Sequence, residues 1–200
     1  MREIYLPEVV GKVQWWNQAP GGIRTALGEN HNVVTYLACD IFAKLLGGDV
    51  SHVPSHIGFL FGAVNYQNDF LSSYPRLQDW NDIAQSINGK ESNILLAPIS
   101  FTSFSVDRSR YLDANYTGNV LKITSNTSSS GILALSGSGY KSSLEPGDKF
   151  YDVLLISRRQ DAGGVYRYVP VARASLKKGS EYPDQLPGLS FGVDWSITFY

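Results

Sequence analysis

The sequence predicts a mainly β protein, an antiparallel β-sandwich of jelly-roll-like type with one α-helix in its N-terminal half. Two observations lead to this fold class. Short apolar runs alternate with turns along the chain, which holds 19 glycines and 9 prolines, and this pattern is typical of strands joined in antiparallel sheets. Only residues 32–46 carry the three- and four-residue apolar spacing of a convincing helix.

The segment from Phe191 to Phe199 gives the clearest strand signal. Apolar residues alternate along it with small or polar ones, and successive side chains of a strand point to opposite faces. We therefore expect a strand with one buried face. This places Trp195 and Ile197 in the core, with Trp195 facing the helix.

The helix is predicted at residues 32–46. Asn30 or Asn32 can cap its first turn, because an Asn side chain accepts a hydrogen bond from the unpaired amides there. Gly47 and Gly48 follow its last turn, where a residue that adopts positive φ ends a helix. The apolar positions of its predicted core face are Val33, Val34, Leu37, Ile41, Leu45 and Leu46.

Three further segments predict how the strands are connected. The run from Ile94 to Phe104 is expected to bend at Pro98, since proline cannot donate to a sheet ladder. Val120–Thr124 and Ile132–Leu135 flank a polar loop and predict a hairpin. Phe150–Ser157 is apolar nearly throughout and predicts a central strand.

The domain organisation depends on the first 29 residues. Residues 30–200 are predicted to form one β-sandwich domain, and residues 1–29 are either an extended arm or its first strand. Apolar residues in this stretch need a cover. A neighbouring subunit can provide it, or Val9–Trp16 can be a strand of the same sandwich. The interface candidates of an arm are Tyr5, Leu6, Val9, Val10, Trp15 and Trp16.

Composition argues against several classes of function. The net charge is −1, without the basic excess of a nucleic-acid-binding protein, so no nucleic-acid partner is expected. No apolar run reaches the roughly 18 residues of a membrane span, so no membrane association is expected. The single cysteine, Cys39, cannot form an internal disulfide. The first residues show no signal-peptide core, and we expect a protein made in the cytoplasm.

The residues that carry chemistry do not form a recognisable catalytic or metal-binding pattern. His52 and His56 have the four-residue spacing of two helical ligands, but Pro54 between them disfavours that helix, so a turn is the better interpretation. Neither a nucleophile elbow nor a phosphate-binding glycine loop occurs. The sequence therefore predicts no enzyme, no catalytic residue, no cofactor and no metal.

Four short segments together resemble tailed-bacteriophage virion proteins. Many of these carry a helix ending in Leu-Ala-x-Leu-Leu-x-Gly, then Thr/Ser-His-Ile-Gly, an Ala-Arg-Ala strand, and a final Leu-x-Val-x-Trp-x-Ile-x-Phe. The corresponding segments here, in the same order, are Ala43–Gly48, Ser55–Gly62, Val171–Leu176 and Phe191–Phe199. Two departures are a missing Gly-Thr-Gly-Thr after the second segment and Asp152–Ile156 in place of Glu-x-Gly-Leu.

The resemblance implies a non-enzymatic β-sandwich component of a phage virion. The main expectation is a capsid decoration or cement protein that binds the major capsid protein and stabilises the shell. The alternative is a tail, neck or baseplate component with tail or neck proteins as partners. A homo-oligomer is expected, and a trimer matches the local threefold positions of an icosahedral shell. A glycan- or receptor-binding module is a further alternative.

Overall fold

The structure, a computed structural model, describes residues 9–34, 36–50, 53–62, 93–105, 119–135, 143–160, 162–164 and 166–199. Within these residues the predicted mainly β fold with one helix is confirmed. The elements, in chain order, are β1 (Val9–Gln18), β2 (Arg24–His31), β3 (Val33–Val34), α1 (Tyr36–Leu46), β4 (His56–Gly62), β5 (Asn93–Pro98), β6 (Ser100–Ser105), β7 (Asn119–Asn126), β8 (Leu133–Leu135), β9 (Lys149–Gln160), β10 (Tyr166–Ser175) and β11 (Ser190–Phe199).

The strands form two antiparallel sheets that share one hydrophobic core. The five-stranded sheet has the order β2-β1-β11-β7-β6, and the six-stranded sheet has the order β3-β10-β9-β4-β5-β8. An aromatic trio joins them. Phe150 of β9 stacks on Phe191 of β11 with ring centroids 4.0 Å apart, and Phe59 of β4 meets these rings edge-on at 6.3 and 6.1 Å. Such ring pairs attract beyond their burial.

The predicted strand from Phe191 to Phe199 is β11, in the middle of the five-stranded sheet. It pairs with β1 on one side and with β7 on the other, and Trp195 lies opposite Val13 and Ile123. These three side chains are buried, and Ile197 is half-buried against the same core. The alternation of side chains along the strand follows from this position, because only one face reaches the core.

The N-terminal segment forms a strand of the sandwich where the structure describes it. β1 pairs with β2 and β11 along its length. The arm interpretation is therefore wrong for residues 9–18, because a strand paired on both sides cannot extend away from the domain. Val9 and Val10 lie in β1, but their side chains are outside the described set. Tyr5 and Leu6 are also outside the described residues.

The helix begins later than predicted. It starts at Tyr36, whereas Val33 and Val34 form β3, which pairs with β10. The β-branched valines favour a strand where a sheet edge is available, and this pairing removes them from the predicted helix at 32–46. The main packing partner of α1 is β10. The helix therefore lies against the six-stranded sheet, and Trp195 belongs to the other sheet.

The helix ends at its glycine pair, as predicted. Gly48 has a φ of 86°, and the Asp49 N–H donates to the Lys44 carbonyl at 2.9 Å. This bond satisfies one of the carbonyls that a helix end leaves without an intrahelical partner.

The inward face of α1 is narrower than predicted. Ala38 and Ile41 are buried, and Leu45 is half-buried against the core. Leu46 is 91% exposed, because it follows Leu45 by about 100° around the helix and so falls outside the inward stripe. Leu37 lies in α1, and its side chain is outside the described set.

The chain changes sheets at Pro98. β5 ends at this residue in the six-stranded sheet, and β6 begins at Ser100 in the five-stranded sheet. The predicted bend is thus a full corner between sheets. The Ser125 hydroxyl donates to the Pro98 carbonyl at 2.9 Å, which fastens β7 to this corner.

The hairpin predicted for residues 120–124 and 132–135 is wrong. These residues lie in β7 and β8, which belong to opposite sheets. Both sides of β7 are occupied by β11 and β6, and β8 pairs instead with β5. The polar loop between the two strands is therefore a crossover from one sheet to the other.

The central strands of the six-stranded sheet are buried on both faces. Every residue of β4 is buried, as are residues 151–157 of β9. Phe59 and Val153 reach the shared core. The opposite face, which we call the second face, is so tight that a Cβ on Gly58 would lie 2.9 Å from Ile156 Cδ1. The buried aliphatic residues of the second face are Leu60, Ile94, Leu96, Leu154 and Ile156.

Candidate functional site

A cleft of about 310 Å³ lies where the β1–β2 hairpin meets the loop after β10, residues 177–189. The hairpin contributes Trp15, Asn17 and Leu27, and the loop contributes residues from Lys178 onward. Polar and apolar groups converge here on a concave surface, which is the usual form of a small-molecule site. The cleft is therefore the candidate functional site.

A β-bulge shapes the hairpin wall of the cleft. Trp15 pairs with Gly28 and Trp16 pairs with Ala26, which leaves Leu27 as the extra residue of β2. A bulge redirects side chains locally, and Leu27 packs against the core while lining the cleft. A glycine is required beside it, because a Cβ on Gly28 would lie 2.4 Å from Trp15 Cζ2.

Hydrogen bonds and an ion pair fix the loop wall to the start of β9. The Gln185 N–H donates to the Asp148 carbonyl at 2.7 Å, and the Gly147 N–H donates to the Gln185 carbonyl at 3.0 Å. The Lys149 ammonium pairs with the Asp184 carboxylate. The loop therefore has a defined shape before any ligand binds.

A tight turn carries the charged groups of the cleft. The Lys178 N–H donates to the Glu181 carbonyl at 2.8 Å, so both residues stand at the base of one turn. Lys178 Nζ donates to the Leu27 carbonyl at 3.5 Å, a long bond that links the loop to the hairpin. Tyr182 follows the turn, and its ring meets Tyr151 edge-on with centroids 4.9 Å apart.

Asn17 is the buried polar residue of the hairpin wall. It is 5% exposed, and its pairing with β2 and β11 uses backbone groups alone. No hydrogen bond joins its side-chain amide to another residue in the described part of the chain. A buried amide needs a polar partner to offset its lost hydration. Asn17 thus marks the position where a polar ligand group can bind.

The charges that line the cleft nearly cancel. Lys178 is positive, whereas Glu181 and Asp184 are negative, and Lys149 neutralises Asp184 through their ion pair. The cleft therefore offers hydrogen-bond donors and acceptors without a strong field of either sign.

A polar network covers the outer face of the five-stranded sheet, opposite the core. Lys12 Nζ lies 2.7 Å from Glu29 Oε2, and Gln14 Nε2 donates to the same oxygen at 3.0 Å. The hydrogen bond from Lys12, followed by that from Gln14, holds the pKa of Glu29 below its ordinary value. These side chains are exposed to water, and such pairs contribute little to stability.

Trp16 also lies on this outer face, where residues of the same chain cover it. A Cβ on Gly192 would lie 2.3 Å from the indole, so the ring packs directly on the β11 backbone. The Arg24 guanidinium stacks 4.0 Å above the ring and pairs with Asp194 at 3.1 Å. Trp15 and Trp16 are 1% and 3% exposed. This corrects their assignment as interface candidates, because neither offers surface to a partner.

His56 begins β4 instead of lying in the predicted turn. Its Nδ1 lies 2.8 Å from the Ser55 hydroxyl, which also accepts the Arg158 N–H at 3.1 Å. Burial, and after it the positive charge of Arg158, lowers the pKa of His56. Ser55 and His56 are neighbours in the chain, and their contact satisfies polar groups at the start of a buried strand. His52 is outside the described residues.

Metal and membrane sites were also considered. In the ranges that the structure describes, no three His, Cys, Asp or Glu side chains form a group that could hold a metal ion. Over the same ranges, no helix has the length and apolar character needed to cross a bilayer.

The sequence gave no signal for the cleft. Asn17 follows the Trp15–Trp16 pair in an apolar strand, and residues 177–189 read as an ordinary proline-containing loop. The two meet only because β1 and β11 are paired across the whole length of the chain. A bulge and a long-range contact leave no local pattern, so only the fold brings these groups together.

Comparison with protein-family models, with curated proteins and with solved structures finds no match for this chain.

Proposed function

We propose that the protein is a non-enzymatic structural component of a tailed-bacteriophage virion, and more specifically a capsid decoration or cement protein. The observation that carries this proposal is the position of the four phage-like segments. Ala43–Gly48 ends α1, Ser55–Gly62 contains β4, and Val171–Leu176 and Phe191–Phe199 lie in β10 and β11. The segments that resemble virion proteins thus provide one helix end and three strands of a single core.

The sandwich suits a cementing role mechanically. A cement protein needs a body that keeps its shape while neighbouring coat subunits pull on it. The stacked Phe150 and Phe191 rings join the two sheets, and the six-stranded sheet adds a second buried apolar layer. Close-packed interiors of this kind transmit force with little deformation.

Exposed apolar side chains at the periphery provide contact points for neighbouring subunits. Ile23, at the turn of the β1–β2 hairpin, and Leu46, at the end of α1, are each 91% exposed, and Val50 is 74% exposed. Burial of such side chains gains about 25 cal/mol per Å². They replace Trp15 and Trp16 as the candidate contacts with the major capsid protein or with other copies of a trimer.

Fractionation of the virus particles that contain this chain tests the proposal. Heads and tails are separated after gentle disruption, and each fraction is analysed by mass spectrometry. A stoichiometric amount in the head fraction supports decoration. Recovery with tails, necks or baseplates supports the alternative location. Absence from purified particles contradicts the proposal.

A binding assay with emptied mature shells tests the contact points. Leu46→Glu should weaken binding of the purified protein to shells, because it places a charge on an apolar contact. Ala43→Glu, at an exposed position of the same helix, is the matched control. Equal binding of both variants excludes Leu46 as a contact.

A further inference from the structure

We propose that the cleft between the β1–β2 hairpin and residues 177–189 binds a neutral, hydroxyl-rich ligand, a saccharide unit, with the Asn17 side chain as its central polar contact. This inference goes beyond the proposed function, and it holds or fails independently of where the protein sits in a virion.

The first argument is the unsatisfied amide of Asn17. The residue is 5% exposed, it lines the cleft, and its side chain has no hydrogen-bond partner among the described residues. An amide group both donates and accepts hydrogen bonds. A pair of adjacent sugar hydroxyls has the same dual character, so one such pair can satisfy both halves of the amide.

The second argument is electrostatic. Lys178 and Glu181 offer one cation and one carboxylate within a single turn, and Lys149 neutralises Asp184. An anionic ligand would meet Glu181, and a cationic ligand would meet Lys178. An uncharged ligand can instead accept from the ammonium and donate to the carboxylate, so the charge balance favours a neutral polar group.

The third argument concerns the apolar part of the lining. Leu27, Tyr182, Pro183 and Leu186 contribute apolar surface beside these polar groups. A sugar ring has the same mixed character, since its C–H groups are apolar and its edge carries hydroxyls. The volume of about 310 Å³ lies at the small end of ligand pockets, which span roughly 300–1,000 Å³, and suits a ligand of monosaccharide size.

The fourth argument is the fixed shape of the cleft. Backbone hydrogen bonds and the Lys149–Asp184 pair hold the loop to β9, and Gly28 lets Trp15 pack closely against β2. A ligand that enters such a site orders few side chains on binding, which lowers the entropy cost.

Titration of the isolated ¹⁵N-labelled protein with glucose, galactose and N-acetylglucosamine tests the inference by NMR. At least one neutral sugar should shift the side-chain amide signals of Asn17 together with backbone amides between Lys178 and Asp184. Glucuronate and glucosamine, which carry opposite charges, should bind more weakly. A neutral oligosaccharide that binds more tightly than its monosaccharide identifies a glycan chain as the source, and equal affinity identifies a free sugar.

Two variants and a matched control complete the test. Asn17→Leu should abolish binding, and Glu181→Ala should raise the Kd about tenfold, as expected for loss of a hydrogen bond to a charged group. Glu29→Ala removes an exposed carboxylate on the outer face and should leave the Kd unchanged. Because Glu181 lies in an exposed turn, its variant carries the test even if Asn17→Leu does not fold.

The inference is overturned by any of three results. These are no shift with any neutral sugar, equal binding of the charged sugars, or equal Kd values for Glu181→Ala and Glu29→Ala. Since the assay uses the isolated protein, such a result leaves the particle fractionation unaffected, and loss of the protein from virions does not affect this result.

Discussion

The two sheets of this protein differ in what lies on the face turned away from the shared core. In the six-stranded sheet that face is a second apolar layer, with Leu96 and Leu154 almost fully buried. In the five-stranded sheet the same kind of face carries Lys12, Gln14 and Asp194, joined by polar contacts in water. One sheet is therefore interior on both sides, and the other is half surface.

This difference explains why their strands read differently in the sequence. β9 is a nearly continuous apolar run, as expected for a strand covered on both faces, whereas β11 alternates. It also assigns different tolerances to the two sheets. Substitutions on the outer face of the five-stranded sheet should be cheap, and those on the second face of the six-stranded sheet should be costly.

The largest effect is expected in the layer that both sheets share. Trp195→Ala should lower the free energy of unfolding by about 3–5 kcal/mol, because it removes a fully buried indole from β11. Urea unfolding of the variant measures this loss. Trp195→Phe, which keeps most of the ring, should lose less. A loss below about 1 kcal/mol for the Ala variant would place Trp195 outside the core.

The next effect compares the two outward faces directly. Leu154→Ala should cost about 2–5 kcal/mol, the usual range for a truncated buried leucine. Gln14→Ala, on the outer face of the five-stranded sheet, should stay within about 0.5 kcal/mol of the parent protein. Parallel denaturant titrations give both values. Similar costs for the two variants would remove the distinction between the sheets.

A pH-dependent effect is expected at the start of β4. His56 has a pKa below the ordinary 6.5, so the unfolded chain binds a proton more readily than the folded chain. Stability from this group is fully present above about pH 6.5 and is lost as the pH falls towards the folded pKa. Thermal unfolding between pH 7.5 and 5 measures the slope. His56→Asn should flatten it, and an unchanged slope assigns it to other groups.

The smallest effect is expected on the outer face of the five-stranded sheet. Arg24→Ala removes an exposed ion pair with Asp194 and the stacking on Trp16, and it should cost about 0.5–1 kcal/mol. Added salt should reduce the difference between variant and parent, since the ion pair is screened. Fluorescence of Trp16 provides a second readout, because the variant exposes the indole. A cost above about 2 kcal/mol would mean that this face is also part of the core.

The sequence predicted the features that depend on local pattern. The alternation of β11, the apolar run of β9 and the glycine pair after α1 each impose their structure through side chains or φ values at that position. The predictions that failed depended on distant partners. Val33 and Val34 form a strand because β10 offers an edge, and β8 pairs with β5 because both sides of β7 are occupied.

The cleft belongs to the second group. Asn17 and the turn at Lys178–Glu181 are about 160 residues apart, and they meet because β1 pairs with β11 and residues 177–189 pair with the start of β9. No single segment carries a recognisable binding motif. The resemblance to virion proteins rests on core strands, so it predicted the fold and left the cleft unassigned.

Thiol labelling tests the contrast between the two sheets most directly. The chain has one cysteine, Cys39, and a Cys39→Ala background allows a single cysteine to be placed at Gln14 or at Leu154. Gln14→Cys should react with a maleimide as fast as a thiol in a short peptide, and Leu154→Cys should react only at the rate of unfolding. Rapid labelling of Leu154→Cys in the native protein, at a rate close to that of Gln14→Cys, would contradict the account.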